Sequence, residues 1–153
     1  MRRLFTAFIA LATATVTAAV VGTAPAQAAT GWPLRIVAIQ YDPPGADTTS
    51  NAQLNAEWIA VRNVAPVRAT ISGWRIADPA GNVYTFGTVT TINPGATIYV
   101  HTGKGTNTFV HRYWNRSWYV WNNDKDTAYL YSTTGVKIDT CYYNNRSVSS
   151  LYC

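Results

Sequence analysis

The sequence predicts an all-β domain, an antiparallel sandwich or barrel of about eight short strands, and three observations predict it. Apolar residues alternate with polar ones in short runs, and Gly, Pro and Asn punctuate those runs at intervals of roughly 8 to 12 residues. No stretch of the folded part repeats the 3.6-residue apolar spacing of a helix over a window of about 11 residues. The alternation begins only after residue 28, because the residues before it have the organisation of an export signal.

Arg2 and Arg3 supply a positive end, an apolar stretch runs from Leu4 to about Val21, and Ala26-Gln27-Ala28 is a small-x-small cleavage site. Residues 1–28 are therefore expected to be a signal peptide, and residues 29–153 one domain of 125 residues, enough to bury a core of its own. An uncleaved membrane anchor is the alternative, disfavoured because Thr interrupts the stretch and Pro25 precedes the cleavage site. The expectation is a secreted protein, extracellular or associated with the cell envelope, with no membrane insertion after cleavage. Without Arg2 and Arg3, 10 Lys and Arg stand against 7 Asp and Glu, a net charge of +3 that permits acidic partners without demanding them. Cys141 and Cys153 would enter an oxidising compartment and are expected to pair, closing a loop of about 13 residues for roughly 3 kcal/mol of stabilisation.

Along the domain, Arg35 to Tyr41 reads as the first strand, and Asp42-Pro43-Pro44-Gly45 ends it because proline cannot donate to a ladder. From Glu57 to Asn63, Ile59 and Val61 share one face while Trp58, Ala60 and Arg62 share the other. Val67 to Ile71 and Trp74 to Asp78 follow, and the turn Pro79-Ala80-Gly81-Asn82 leads into Val83 to Phe86. Asn93-Pro94-Gly95 precedes a strand over Thr97 to His101. Residues 102 to 123 read as irregular and unusually aromatic, with Gly103 to Asn107 a flexible loop. Thr127 to Tyr131, a turn at Thr134-Gly135, and Val136 to Tyr142 form a closing hairpin. Periodicity does not separate a sandwich from a barrel, since both bury one alternating face.

Several segments stand in a recognisable order: Glu57-Trp58-Ile59-Ala60-Val61-Arg62-Asn63, Ile71-Ser72-Gly73-Trp74-Arg75-Ile76-Ala77-Asp78 and Gly81-Asn82-Val83-Tyr84-Thr85-Phe86. Ile92-Asn93-Pro94-Gly95-Ala96, Val100-His101-Thr102-Gly103 and Trp121-Asn122-Asn123 follow, then Asp126-Thr127-Ala128-Tyr129-Leu130 with Gly135, Val136 and Asp139. Over nearly the whole of residues 29–153 the chain resembles the lamin tail domain family, particularly its secreted bacterial members. The resemblance implies an immunoglobulin-like β-sandwich used as a non-enzymatic module, and it implies no ligand. Within the motif, Gly73 suits a bend that turns Trp74 into the core, and Asp78 suits a turn that binds nearby backbone. Glu57 shares the parity of Ile59 and Val61, which places its carboxylate at the edge of the core, accepting backbone or side-chain donors.

Candidate chemistry is sparse. His101 and His111 are the available histidine bases, and no Gly-x-Ser-x-Gly elbow accompanies them, so no catalytic residue is assigned. The glycines at 103 and 105 lack the spacing of a phosphate loop, and Asp42, Asp47, Asp124 and Asp126 do not compose a calcium loop, so neither a cofactor nor a metal is expected. The segment from Tyr113 to Trp121 exceeds the needs of an ordinary connection. Tyr113, Trp114, Arg116, Trp118 and Tyr119 are its candidate ligand-binding residues, with rings for stacking on sugars and Asn115 and Asn122 for their hydroxyls. The expected partner is an extracellular polysaccharide or cell-envelope component. A protein partner is the first alternative. Nucleic acid, met by Lys104, Arg112 and Arg116, is another, and completion of the core by the aromatic segment remains open.

Overall fold

The computed structural model describes residues 31–88 and 90–153. The expected signal peptide lies outside the described residues. Within them the chain forms a β-sandwich of the immunoglobulin-like kind, with its strands short and nearly all antiparallel.

One layer has five strands in the order β11-β1-β2-β7-β8. They are β1 (Leu34–Gln40), β2 (Trp58–Asn63), β7 (Thr97–His101), β8 (His111–Tyr113) and β11 (Ser150–Tyr152). The facing layer, ordered β10-β9-β4-β5, comprises β4 (Arg75–Ala77), β5 (Val83–Thr85), β9 (Lys125–Tyr131) and β10 (Lys137–Asn144). A two-stranded ribbon, β3 (Ala69–Thr70) with β6 (Thr91–Ile92), links them at one end. The alternation legible in the sequence buries Ile59, Val61, Ile98 and Val100 from one layer against Ile76, Ala128 and Leu130 from the other. Ala60, expected on the outer face, is also covered.

Motif residues act structurally, as their chemistry suggests. Gly73 has a φ of 77°, a conformation cheap only for glycine, and Trp74 beside it is buried. The buried Asn63 side chain donates to the carbonyls of Val67 and Ile92, at 2.7 and 2.9 Å, and accepts from Ala65 N. It thereby ties β2 to the ribbon. Asp78 accepts from both the backbone and the side-chain amide of Asn82, closing the β4–β5 turn.

Three features depart from expectation. A one-and-a-half-turn helix, α1 (Asn51–Ala56), capped by the Ser50 hydroxyl, buries Leu54 beside β7; six residues are too few to show helical periodicity. β8 runs parallel to β7, after residues 102–110 carry the chain back along the sandwich. The C-terminus adds β11 to the edge of β1, with Ile39 opposite Leu151, and the Cys141–Cys153 disulfide fastens it there with a Cα separation of 5.8 Å.

Candidate functional site

The aromatic segment crosses one end of the sandwich, between β8 and β9, and the fold divides its rings. Backbone amides fix its start: Trp114 N donates to His101 O at 2.8 Å and Arg116 N to Thr102 O at 2.9 Å. Trp114 then turns inward, 9% exposed, with its ring 5.7 Å from Tyr84 and 6.1 Å from Trp121. The reading of Trp114 as a ligand-stacking residue therefore meets a side chain committed to the core. Val120 and Trp121 are buried as well. Trp118, between Trp114 and Val120 in sequence, is 68% exposed.

The other candidates occupy intermediate positions. Arg116 is exposed and donates to the Asn82 side chain, bridging to the β4–β5 turn. The half-buried Tyr119 donates its hydroxyl to Thr48 O at 2.9 Å. Tyr113 stacks on His101, with centroids 5.2 Å apart, and the loop backbone at Gly105 lies tight against its ring. A solvent-facing group of Arg116 and Trp118, framed by Tyr119, thus remains at this end.

Beneath the segment sits Glu57, immediately before β2 and fully buried. Its carboxylate accepts from the Thr102 hydroxyl and from the backbone amides of Val120, at 2.9 Å, and Trp121, at 3.3 Å. Sequence parity placed it at the edge of the core; the structure places it inside. Burial pushes its carboxyl up to about 7, against the pull of those three hydrogen bonds and with a smaller upward push from Asp47. Two further acids flank this region. Burial also raises Asp126, whose carboxylate accepts from Asn122 and from the amide of Thr127, while Asp78 adds like charge. Tyr143 donates its hydroxyl to Asn122 O at 2.7 Å and stacks on Tyr41 at 3.9 Å. The end of the sandwich is held from below by hydrogen-bonded polar groups.

His101 and His111 lie 2.9 Å apart through Nε2 and Nδ1. Because His101 Nδ1 faces the carbonyl of Asn55 at 2.7 Å, that nitrogen carries the proton, and Nε2 of neutral His101 accepts from His111. Burial lowers the His101 pKa, with the neighbouring His111 acting in the same direction. Among the described residues the hydrogen bonds of the two rings run to the Asn55 carbonyl and to each other, so the pair joins α1, β7 and β8.

The loop expected to be flexible is fastened instead. Lys104 O accepts from the side-chain amides of Asn51 and Asn55, both at 2.9 Å, and Lys104 N donates to Asn51 Oδ1 at 2.7 Å. Gly103 lies so close to Asn55 Oδ1 that a Cβ there would collide with it. The nearby carboxylates are separately engaged: Asp124 pairs with Arg146 at 2.8 Å, and Asp47 accepts from Asn123 at 3.0 Å. Among the described residues, no group of three or more His, Cys, Asp or Glu could hold a metal ion.

No curated protein matches the chain. The Lamin Tail Domain family matches it over residues 27–145, a span that includes every strand except β11 and stops short of Cys153. An immunoglobulin-like sandwich, a motif whose invested residues hold strands and turns together, and a match covering most of its length agree: the chain belongs to the lamin tail domain family.

Proposed function

We propose that the chain is a secreted, non-catalytic interaction module of bacterial type, with residues 1–28 as its export signal and residues 29–153 as its working domain. It recognises an extracellular polysaccharide or cell-envelope component through the end of the sandwich that carries Trp118. Membership of a family of non-enzymatic modules supports the general reading. The observation that carries the specific one is a 68% exposed indole on a segment whose backbone is held by buried Glu57. An indole carried on a held backbone has less freedom to lose on meeting a sugar ring than one on a free loop. Arg116 and Tyr119 supply polar groups on the same segment, whereas Trp114 is packed in the core against Tyr84 and Trp121.

A protein partner is the second reading, favoured by a separate observation. Phe109, 90% exposed, and Val110 border a hollow of about 270 Å³ that Arg68 and Asn93 also line, on the β3–β6 side. Nucleic acid would instead use the cations Lys104, Arg112 and Arg116, and its binding would weaken steeply with salt.

Binding of the mature chain to immobilised neutral and charged glycans, beside a Trp118→Ala variant, tests the leading reading. The expected result is salt-tolerant glycan binding that falls about tenfold in the variant while the melting temperature holds. Equal binding by both proteins would remove Trp118 from the site. Binding that requires Phe109 in place of Trp118 and selects a protein would favour the second reading.

A further inference from the structure

The outer face of the four-stranded layer carries an arrangement that the Trp118 site does not use. β9 lies between β10 and β4, and its alternation sends Asp126, Ala128 and Leu130 inward and Lys125, Thr127, Tyr129 and Tyr131 outward. Register places Lys137 of β10 and Arg75 of β4 on either side of Tyr131. Two strand spacings separate them, about 10 Å between backbones. The Arg75 guanidinium stands 6.0 Å from the centroid of the Tyr131 ring, and the Lys137 ammonium 5.3 Å from that of Tyr129. Tyr142, 58% exposed, extends the aromatic surface along β10.

The charge on this face is unbalanced. Neither Arg75, Lys137 nor Lys125 forms an ion pair or a side-chain hydrogen bond with the described residues. The seven acidic residues are placed elsewhere. Glu57, Asp78 and Asp126 are buried, Asp42 and Asp47 follow β1, Asp124 pairs with Arg146, and Asp139 accepts from Ile36 N of the opposite layer at 2.8 Å. A ring quadrupole attracts a cation without neutralising it, so the three positive charges remain available to a ligand. At the Tyr131 end of this face, Arg75, Ala77, Val83, Tyr131 and Gly135 line a shallow hollow of about 220 Å³, room for one small ring.

We propose that this face binds an acidic polysaccharide, a chain of sugar rings bearing carboxylates. The carboxylates meet Arg75 and Lys137, the apolar sides of the sugars lie against Val83 and Tyr142, and the hydroxyls reach Thr127 and Thr140. Charge complementarity selects a polyanion. The position of the cations then selects a glycan over single-stranded nucleic acid. A base stacking on Tyr129 or Tyr131 would have to displace the cation already over that ring, whereas a carboxylate approaches the cation where it stands. The inference rests on the reading of the chain as an interaction module, but on residues separate from Trp118.

The test measures binding of the full mature chain to polygalacturonate, to neutral amylose and to a single-stranded thymidine oligonucleotide at low salt. Three proteins are compared: the native chain, Arg75→Gln/Lys137→Gln and Trp118→Ala. Polygalacturonate binding that weakens about tenfold in the double variant, persists in Trp118→Ala and declines with added salt supports the proposal. Should the double variant melt lower than the native chain, the exposed single change Lys137→Glu provides the same reading. Absence of polygalacturonate binding, or binding undiminished by the cation changes, overturns it. So does tighter binding of the oligonucleotide that the same changes abolish, because the occupant would then be nucleic acid. Loss of amylose binding in Trp118→Ala concerns the other surface alone.

Discussion

A single buried carboxyl sets the most distinctive property at the residue scale. Glu57 accepts three hydrogen bonds inside the core, yet burial holds its carboxyl at about 7 against an ordinary value of 4.5. A raised pKa means that the native state retains a proton the unfolded chain releases. Its contribution is complete below about pH 4.5 and is lost as pH rises through about 7, a change of at most about 3 kcal/mol. Asp126, raised in the same direction, adds to the trend. Denaturant unfolding at about pH 5 and about pH 8 should show the native chain losing stability, and Glu57→Gln should flatten that slope. Glu57→Ala should cost about 3 kcal/mol at about pH 5, because the Thr102 hydroxyl and two amides would be left unpaired in the interior, and less at about pH 8, where the native chain has lost the contribution of the Glu57 proton. An equal slope in the native chain and the Gln variant would remove Glu57 as its source.

At the scale of elements, the C-terminal strand depends on a covalent tie more than on its own packing. β11 has three residues, and Tyr152 is 89% exposed, so little apolar area holds it against β1. The disulfide from Cys153 to buried Cys141 anchors that strand to β10. Replacing both cysteines by serine should cost about 3 kcal/mol. It should also raise amide exchange in β11 before the rest of the layer opens. Uniform exchange throughout the five-stranded layer would show instead that β11 is cooperative with the core. The opposite end is secured differently: α1, the loop at Lys104 and the histidine pair form one hydrogen-bonded unit beside β7. Exposed side chains there stand on a supported backbone.

Across the whole molecule, the same residue type serves opposite purposes according to where the fold places it. Trp114 fills the space between Tyr84 and Trp121, so Trp114→Ala should destabilise by about 3 to 5 kcal/mol. Trp118 projects into solvent, and Trp118→Ala should leave stability within about 0.5 kcal/mol. Thermal melts of the two variants separate the supporting ring from the presenting one; similar losses would contradict the division. Charge is likewise partitioned: carboxylates are buried or confined to loops and a sheet edge, while Arg75, Lys125 and Lys137 occupy one open face. The molecule therefore offers two chemically distinct surfaces, one dominated by an indole and one by cations over tyrosines.

The all-β class, the main strands around Ile59, Tyr99 and Leu130, and the turns at Asp78 to Asn82 and Asn93 to Gly95 were legible in the sequence because two-residue alternation and turn chemistry are local. The family was legible for a related reason: residues such as Gly73, Asp78 and Asn63 answer to backbone requirements at fixed places. α1 and β11 were not, since six and three residues are too few to establish a period. Within residues 113–121 periodicity gave no guide to exposure, because the backbone follows contacts to Glu57, His101 and Thr102 that are distant in sequence. The outward parity of Tyr129 and Tyr131 could be read from β9 alone, but the cations beside them come from β4 and β10. Only register brought those strands together. Sequence by itself determined which strands and turns could form; tertiary structure decided which aromatics became core and which charges shared a face, because both depend on non-local pairing.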